Sequence, residues 1–106
     1  MDWYVSLPGG TVRRAVDLDE YGRWTEQSYG KSFADGGRVV GRDDVGGVGV
    51  STVMLGLDHG WGGRGPLLFE TMIFGGPHDG YRERYATHAE AVAGHAAAVK
   101  LAKGES

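Results

Sequence analysis

Two apolar stretches decide the predicted fold: residues 48–57 read VGVSTVMLGL and residues 67–74 read LLFETMIF. Both are rich in β-branched or aromatic residues and are flanked by breaker residues, which is typical of strands. In the first stretch Val50 and Met54 point one way and Val53 points the other, so both faces are apolar. An antiparallel sheet with one solvent-exposed face alternates apolar and polar residues. Because these two strands are apolar on both faces, we expect both faces to be covered.

Outward from this pair, the pattern predicts the element order β-β-α-β-β-β-(β)-α. The predicted elements are a hairpin around Pro8–Gly10, a helix from Asp17, strands at 38–45, 48–57, 67–74 and 82–86, and a helix from Thr87 to about Lys103. Asp17 with Glu20, and Thr87 with Glu90, fit helix-capping boxes. Short connections imply antiparallel neighbours, so the sequence predicts an α+β fold with an antiparallel sheet of about five strands and two helices in two layers.

Length and composition favour one small domain over residues 1–106, with the hairpin and first helix in 1–44 and the core sheet and last helix in 45–103. Twenty of the 106 residues are glycine, yet 41% are hydrophobic, which favours a real but small core. If two helices cover one sheet face, the other needs a partner. We therefore expect a homo-oligomer, most simply a two-fold dimer, the alternative being that the first hairpin folds over that face.

Charge and residue types argue against several classes of protein. Eleven Lys and Arg against 14 Asp and Glu give a net charge of −3, which argues against binding to duplex nucleic acid. There is no cysteine, and the four histidines lack the spacings typical of metal sites, so neither a metal nor a cofactor is expected. No signal-peptide pattern and no run of about 18 apolar residues are present, so we expect a cytoplasmic protein with no membrane span.

A family resemblance is carried by residues 51–59 (STVMLGLDH), 66–76 (PLLFETMIFGG) and 83–95 (ERYATHAEAVAGH), with two glycines at 62 and 63. Over about residues 45–100 the chain resembles a group of small proteins encoded by tailed phages of actinobacteria. The resemblance brings no assigned activity. It implies an accessory protein made in the cytoplasm of an infected host bacterium.

The glycine-rich loop that follows Asp58 and His59 is the most ligand-like segment of the sequence. Trp61 offers a flat face to a nucleobase, Arg64 offers a planar fork to a phosphate, and the glycines allow close backbone approach. The alternative is an ordinary hairpin turn with an exposed tryptophan.

A second basic feature precedes the last helix. Arg84 is predicted to share a strand face with Arg82, beside Tyr85 and close to the positive end of that helix. The patch is either an anion site or ordinary solvated charge.

Two titratable residues fall in apolar surroundings. Glu70 lies between Leu68 and Met72 on one strand face, so its carboxylate must be paired, hydrogen-bonded or protonated. It either makes a local ion pair, or holds a ligand hydroxyl or acts as a general base. His95 lies on the predicted inward stripe of the last helix, with Val92, and is either a core residue or part of a site if its ring reaches a carboxylate such as Glu70.

Together these features favour a phage accessory or anti-defence protein that binds and sequesters a small anionic nucleotide-type immune signal at a subunit boundary. Some small phage proteins, called sponges, sequester the nucleotide second messengers of bacterial immune systems. This chain resembles them in size and context and not in any motif. The predicted binding residues are Asp58, His59, Trp61, Arg64, Glu70, Arg84, Tyr85 and His95. Two alternatives stay open: a factor that binds a host protein, and a small phosphodiesterase in which His59, Glu70 and His95 supply acid–base catalysis.

Overall fold

The computed structural model describes residues 2–58 and 66–104, and within them the elements follow the predicted order. The elements are β1 (Tyr4–Leu7), β2 (Thr11–Arg14), α1 (Leu18–Gln27), β3 (Val39–Val45), β4 (Val48–Met54), β5 (Phe69–Phe74), β6 (Arg82–Tyr85) and α2 (His88–Ala102). The predicted α+β class is confirmed.

The strands divide between two antiparallel sheets, where the sequence predicted one sheet of about five strands. β1 pairs with β2, and β3, β4, β5 and β6 form a meander in chain order. The hairpin meets the end of the meander through a bridge between Trp3 and Leu57 and through the Tyr4 amide, which donates to the Gly56 carbonyl at 2.7 Å. Gly56 has φ of +79°, and a Cβ there would lie 2.8 Å from the Tyr4 carbonyl oxygen. This glycine turns the chain, so β4 ends at Met54 instead of continuing to residue 57.

One face of the meander forms the core with α2. Its buried side chains are Val50, Thr52 and Met54 of β4 and Phe69, Thr71 and Ile73 of β5. Ala91 and Ala98 of α2 are buried against this face, at 0% and 1% exposure. Val92, predicted to point inward, is 49% exposed. The helix is rotated from the predicted orientation because small residues allow it to approach the sheet closely.

No helix among the described residues packs on the opposite face of the meander, which we call the open face. Its side chains alternate with the buried ones and are Arg42 and Asp44 of β3, Ser51 and Val53 of β4, Glu70, Met72 and Phe74 of β5, and Arg82 and Arg84 of β6. Phe74 is 51% exposed. This face contains both apolar and charged residues, so it is less apolar than was predicted from the sequences of the two central strands.

The hairpin and α1 extend the core beyond the end of the meander. Trp24 is 2% exposed and packs with Val5 and Met54, and its indole N–H donates to Ser6 Oγ at 2.9 Å. Because Met54 belongs to the α2 side of the sheet, the hairpin joins that side instead of folding over the open face. Leu18, the first residue of α1, is 59% exposed.

Candidate functional site

Glu70 and Arg84, two of the predicted site residues, lie together on the open face. They are direct neighbours on β5 and β6, and Arg84 Nε donates to Glu70 Oε2 at 2.9 Å. Arg82 Nε lies 3.5 Å from the same oxygen. The Glu70 side chain is only 9% exposed, so its charge is balanced by two guanidinium groups that lie further out, at 54% exposure for Arg82 and 32% for Arg84.

His95 lies on the other face of the sheet, away from Glu70 and Arg84. Its Nε2 is 2.6 Å from Asp43 Oδ2, and its Nδ1 is 2.7 Å from Thr52 Oγ1. Thr52 Oγ1 is in turn 2.5 Å from Thr71 Oγ1, and both threonines are fully buried. We call this chain of hydrogen bonds the His95 relay. His95 thus reaches the carboxylate of Asp43, which the sequence did not single out.

Two glycines make room for the rings around the relay. A Cβ on Gly41 of β3 would lie 2.9 Å from the His95 ring, and a Cβ on Gly94 of α2 would overlap the Tyr85 hydroxyl. The Tyr85 hydroxyl is buried and makes no hydrogen bond of good geometry within the described residues, although the Thr71 side chain lies beside it. Burial raises the pKa of Tyr85 above its ordinary value of 10. The Tyr85 hydroxyl therefore belongs to the interface between α2 and the sheet.

The relay has the carboxylate–imidazole–hydroxyl order of a catalytic triad, but its hydroxyl is inaccessible. Thr52 is 0% exposed beneath α2, so no substrate carbonyl or phosphate can reach it in this conformation. When the ring is neutral, Nε2–H donates to the Asp43 carboxylate and Nδ1 accepts from the Thr52 hydroxyl. The relay joins α2 to three strands and satisfies polar groups inside the core.

The other predicted site residues are only partly described. His59, Trp61 and Arg64 lie outside the described residues. Asp58 follows the Trp3–Leu57 bridge, and its amide lies 3.4 Å from the Asp2 carbonyl oxygen. Within residues 2–58 and 66–104, no group of three or more histidine or carboxylate side chains is placed to hold a metal ion.

A cleft of about 220 Å³ beside the open face brings together residues that the sequence analysis missed. Tyr29, Arg38 and Arg42 line it, with Gly30, Val39 and Val53. Tyr29 follows α1 and is 87% exposed, so its ring is available for stacking. No carboxylate is among the described residues that line this cleft. We call it the arginine cleft.

The two arginines of the cleft differ in how they are held. The Arg38 guanidinium lies 4.6 Å from the centroid of the Trp24 ring, and its Nε donates to Ser28 Oγ at 3.1 Å. These contacts fix the group and leave its terminal N–H donors for a ligand. Arg42 is exposed on β3 and makes no ion pair within the part of the chain that the structure describes. The cleft therefore offers one guanidinium group held by two contacts and one that has no ion pair among the described residues.

Two further clefts lack this electrostatic character. One, of about 230 Å³ between the hairpin and α1, contains Glu20 with Arg13 and Arg23. The other, of about 340 Å³ near Phe74, contains Asp43 with Arg42. The described lining of the arginine cleft has two guanidinium groups and no carboxylate, so this cleft has the largest excess of positive charge of the three.

A sequence signal for the arginine cleft exists but is weak. Arg38 and Arg42 are four residues apart, which in a regular strand places both on one face. The register of β3 shifts between Val39 and Gly41, however, so the spacing alone does not account for their meeting in the cleft. Tyr29 could not be added to them from the sequence because the loop after α1 has to fold back toward β3.

Comparison of the whole chain with protein-family models, with curated proteins and with solved structures finds no match. Among the described helices, none combines the length and apolar character needed to cross a bilayer. The function has to be inferred from the chemistry of the site, because fold class alone does not determine it.

Proposed function

We propose that this protein binds a small anionic ligand of the nucleotide class in the arginine cleft. The observation that carries the proposal is the meeting of an exposed aromatic ring, Tyr29, with the guanidinium groups of Arg38 and Arg42 in one cleft, whose described lining contains no carboxylate. A phosphate pairs well with the planar fork of arginine, and a nucleobase stacks on an aromatic ring.

The proposal places the ligand at a boundary between two copies of the chain. Sites that enclose a small molecule commonly measure about 300–1,000 Å³. A cleft of about 220 Å³ is smaller, so a second copy over the open face would complete the enclosure. With the phage resemblance, this proposal implies a protein that sequesters a nucleotide immune signal of the host. Light scattering with and without nucleotide tests the assembly, and a species of 11.3 kDa in both conditions would remove the boundary site.

A retention experiment tests the proposed binding. The purified protein is incubated with nucleoside monophosphates, ADP-ribose and cyclic dinucleotides, freed of unbound ligand and heat-denatured, and the released compound is analysed by chromatography. Recovery of the intact nucleotide supports the proposal. Recovery of a cleaved nucleotide favours a phosphodiesterase, and no retention of any compound contradicts nucleotide binding.

Matched arginine variants locate the site. Arg42→Ala removes one charge-assisted contact, which is worth about 1.5–3 kcal/mol and corresponds to roughly 10- to 100-fold weaker binding. Arg23→Ala is the control, because Arg23 is exposed on α1 outside the arginine cleft. Trp61→Ala and Arg64→Ala test the glycine-rich loop in the same experiment. Equal binding by the Arg42 and Arg23 variants would mean that the cleft is not the site.

A further inference from the structure

The open face carries a second cationic site on the strand edge away from the arginine cleft. Arg82 and Arg84 of β6 both approach Glu70 Oε2, so two positive charges share one negative charge. One positive charge is left over. Both guanidinium groups are accessible, whereas the carboxylate beneath them is nearly buried. Glu70 therefore acts as a positioning residue: it holds the two guanidinium groups in place for an anion that its own carboxylate does not contact.

The strand register connects this second site to the arginine cleft. Val53, which lines the cleft, is paired with Glu70, which is paired with Arg84. In the neighbouring row, Arg42 is linked through Ser51 and Met72 to Arg82. Paired strands lie about 4.8 Å apart, so the backbones of β3 and β6 are about 14 Å apart. The side chains between the two cationic sites are Val53, Ser51 and Met72, with the Glu70 carboxylate 9% exposed beneath the two arginines.

We propose that the ligand carries two anionic groups and spans the open face, with one group in the arginine cleft and the other at Arg82 and Arg84. This inference rests on the proposed function and adds the ligand class: a compound with phosphates roughly 10–14 Å apart, as the strand spacing sets. The centre of the face, with Val53, Ser51 and Met72, contacts the part of such a compound that lies between these two phosphates. A ligand with a single phosphate fills only one of the two sites.

A series of ligands of increasing length tests this inference. Calorimetry compares adenosine, adenosine 5′-monophosphate and 5′-phosphorylated linear adenylates of two and three nucleotides. Wild-type protein is expected to bind the best of the longer compounds at least about tenfold more tightly than the monophosphate, since a second charge-assisted contact is gained. Adenosine, which lacks a phosphate, is the neutral control.

Arg82→Ala separates the second site from the first. Arg82 is the more exposed of the two arginines, and Arg84 still pairs with Glu70 in this variant. The variant is expected to bind the monophosphate within about twofold of wild type and to lose the gain from length, whereas Arg23→Ala keeps the gain.

The failures of the two proposals are distinct. If none of the phosphorylated compounds binds to wild-type protein, the proposed function is wrong. If the monophosphate binds but length brings no gain, the site in the cleft stands and the two-site ligand is wrong. If Arg82→Ala weakens all compounds equally, the monophosphate binds at Arg82 and Arg84 instead of in the cleft, and the two-site ligand is wrong together with the cleft site.

Discussion

At the scale of single residues, Gly94 is an example of a residue type that is determined by a neighbouring side chain, that of Tyr85. Glycine inside a helix usually costs about 1 kcal/mol relative to alanine. At this position an added methyl group would overlap the Tyr85 hydroxyl, which is buried against the helix. The position therefore requires glycine, because Tyr85 occupies the space that a side chain would need.

Gly94→Ala is expected to lower the free energy of unfolding by about 1–3 kcal/mol, the usual cost of overpacking. Gly22→Ala is the matched control: Gly22 lies in α1 with open space around it, so alanine there should add up to about 1 kcal/mol. Urea unfolding measures both. Equal stabilisation by the two substitutions would show that Tyr85 does not occupy the space beside Gly94.

The His95 relay makes a second prediction at this scale. Thr52→Val keeps the shape of the side chain but leaves His95 Nδ1 and the Thr71 hydroxyl without their partner, which is expected to cost about 1–3 kcal/mol. Thr71→Val should cost less in the Thr52→Val background than in wild type, because its partner has already been removed. Chemical unfolding of the four proteins measures this coupling. Additive effects would show that the two hydroxyls do not interact.

At the scale of elements, both N-cap residues were predicted correctly because capping depends on local sequence, but only one of the two predicted capping boxes is complete. Thr87 and Glu90 form the complete capping box of α2. Asp17 caps α1 by accepting from the Glu20 amide, but the Glu20 carboxylate does not bond back to Asp17. It accepts instead from the Val16 amide and the Arg13 guanidinium, and so ties α1 to the end of β2. A pairing seven residues apart in sequence has no local signature.

The acid sensitivity of this junction is a third prediction. The Arg13 guanidinium and the Val16 amide lower the pKa of Glu20 from its ordinary 4.5 to about 2 in the folded protein. Because the folded-state pKa is the lower one, the stabilisation is complete above about pH 4.5 and is lost as the pH falls toward 2. The difference in urea midpoint between wild type and Glu20→Gln should therefore shrink across this range. A constant difference would contradict the assigned ion pair.

The limits of element prediction have a common physical cause. Element order follows from local periodicity, and it was predicted correctly. The division into two sheets and the rotation of α2 depend on Gly56 and on the small residues of the helix, which act only through distant partners. The same holds for the site. Glu70 was recognised because a carboxylate in an apolar strand needs a partner, whereas Tyr29 meets Arg42 only through the fold.

At the scale of the whole molecule, the two faces of the meander have different roles. The face under α2 carries the His95 relay, whose two hydroxyls are buried and whose Asp43 carboxylate is 54% exposed at the outer end. The open face carries the exposed arginines and the arginine cleft. Stability and proposed binding are thus assigned to opposite sides of one sheet, so surface substitutions on the open face should leave the fold largely unchanged.

The most direct test of ligand binding in the arginine cleft is an NMR titration of the assigned, isotopically labelled protein with adenosine 5′-monophosphate. The account predicts shifts at the Arg38 and Arg42 side-chain signals and at Tyr29, with the Trp24 indole following because Arg38 stacks on its ring. Signals of the His95 relay should stay in place. Unchanged cleft signals at saturating nucleotide, or shifts confined to the α2 side of the sheet, would contradict it.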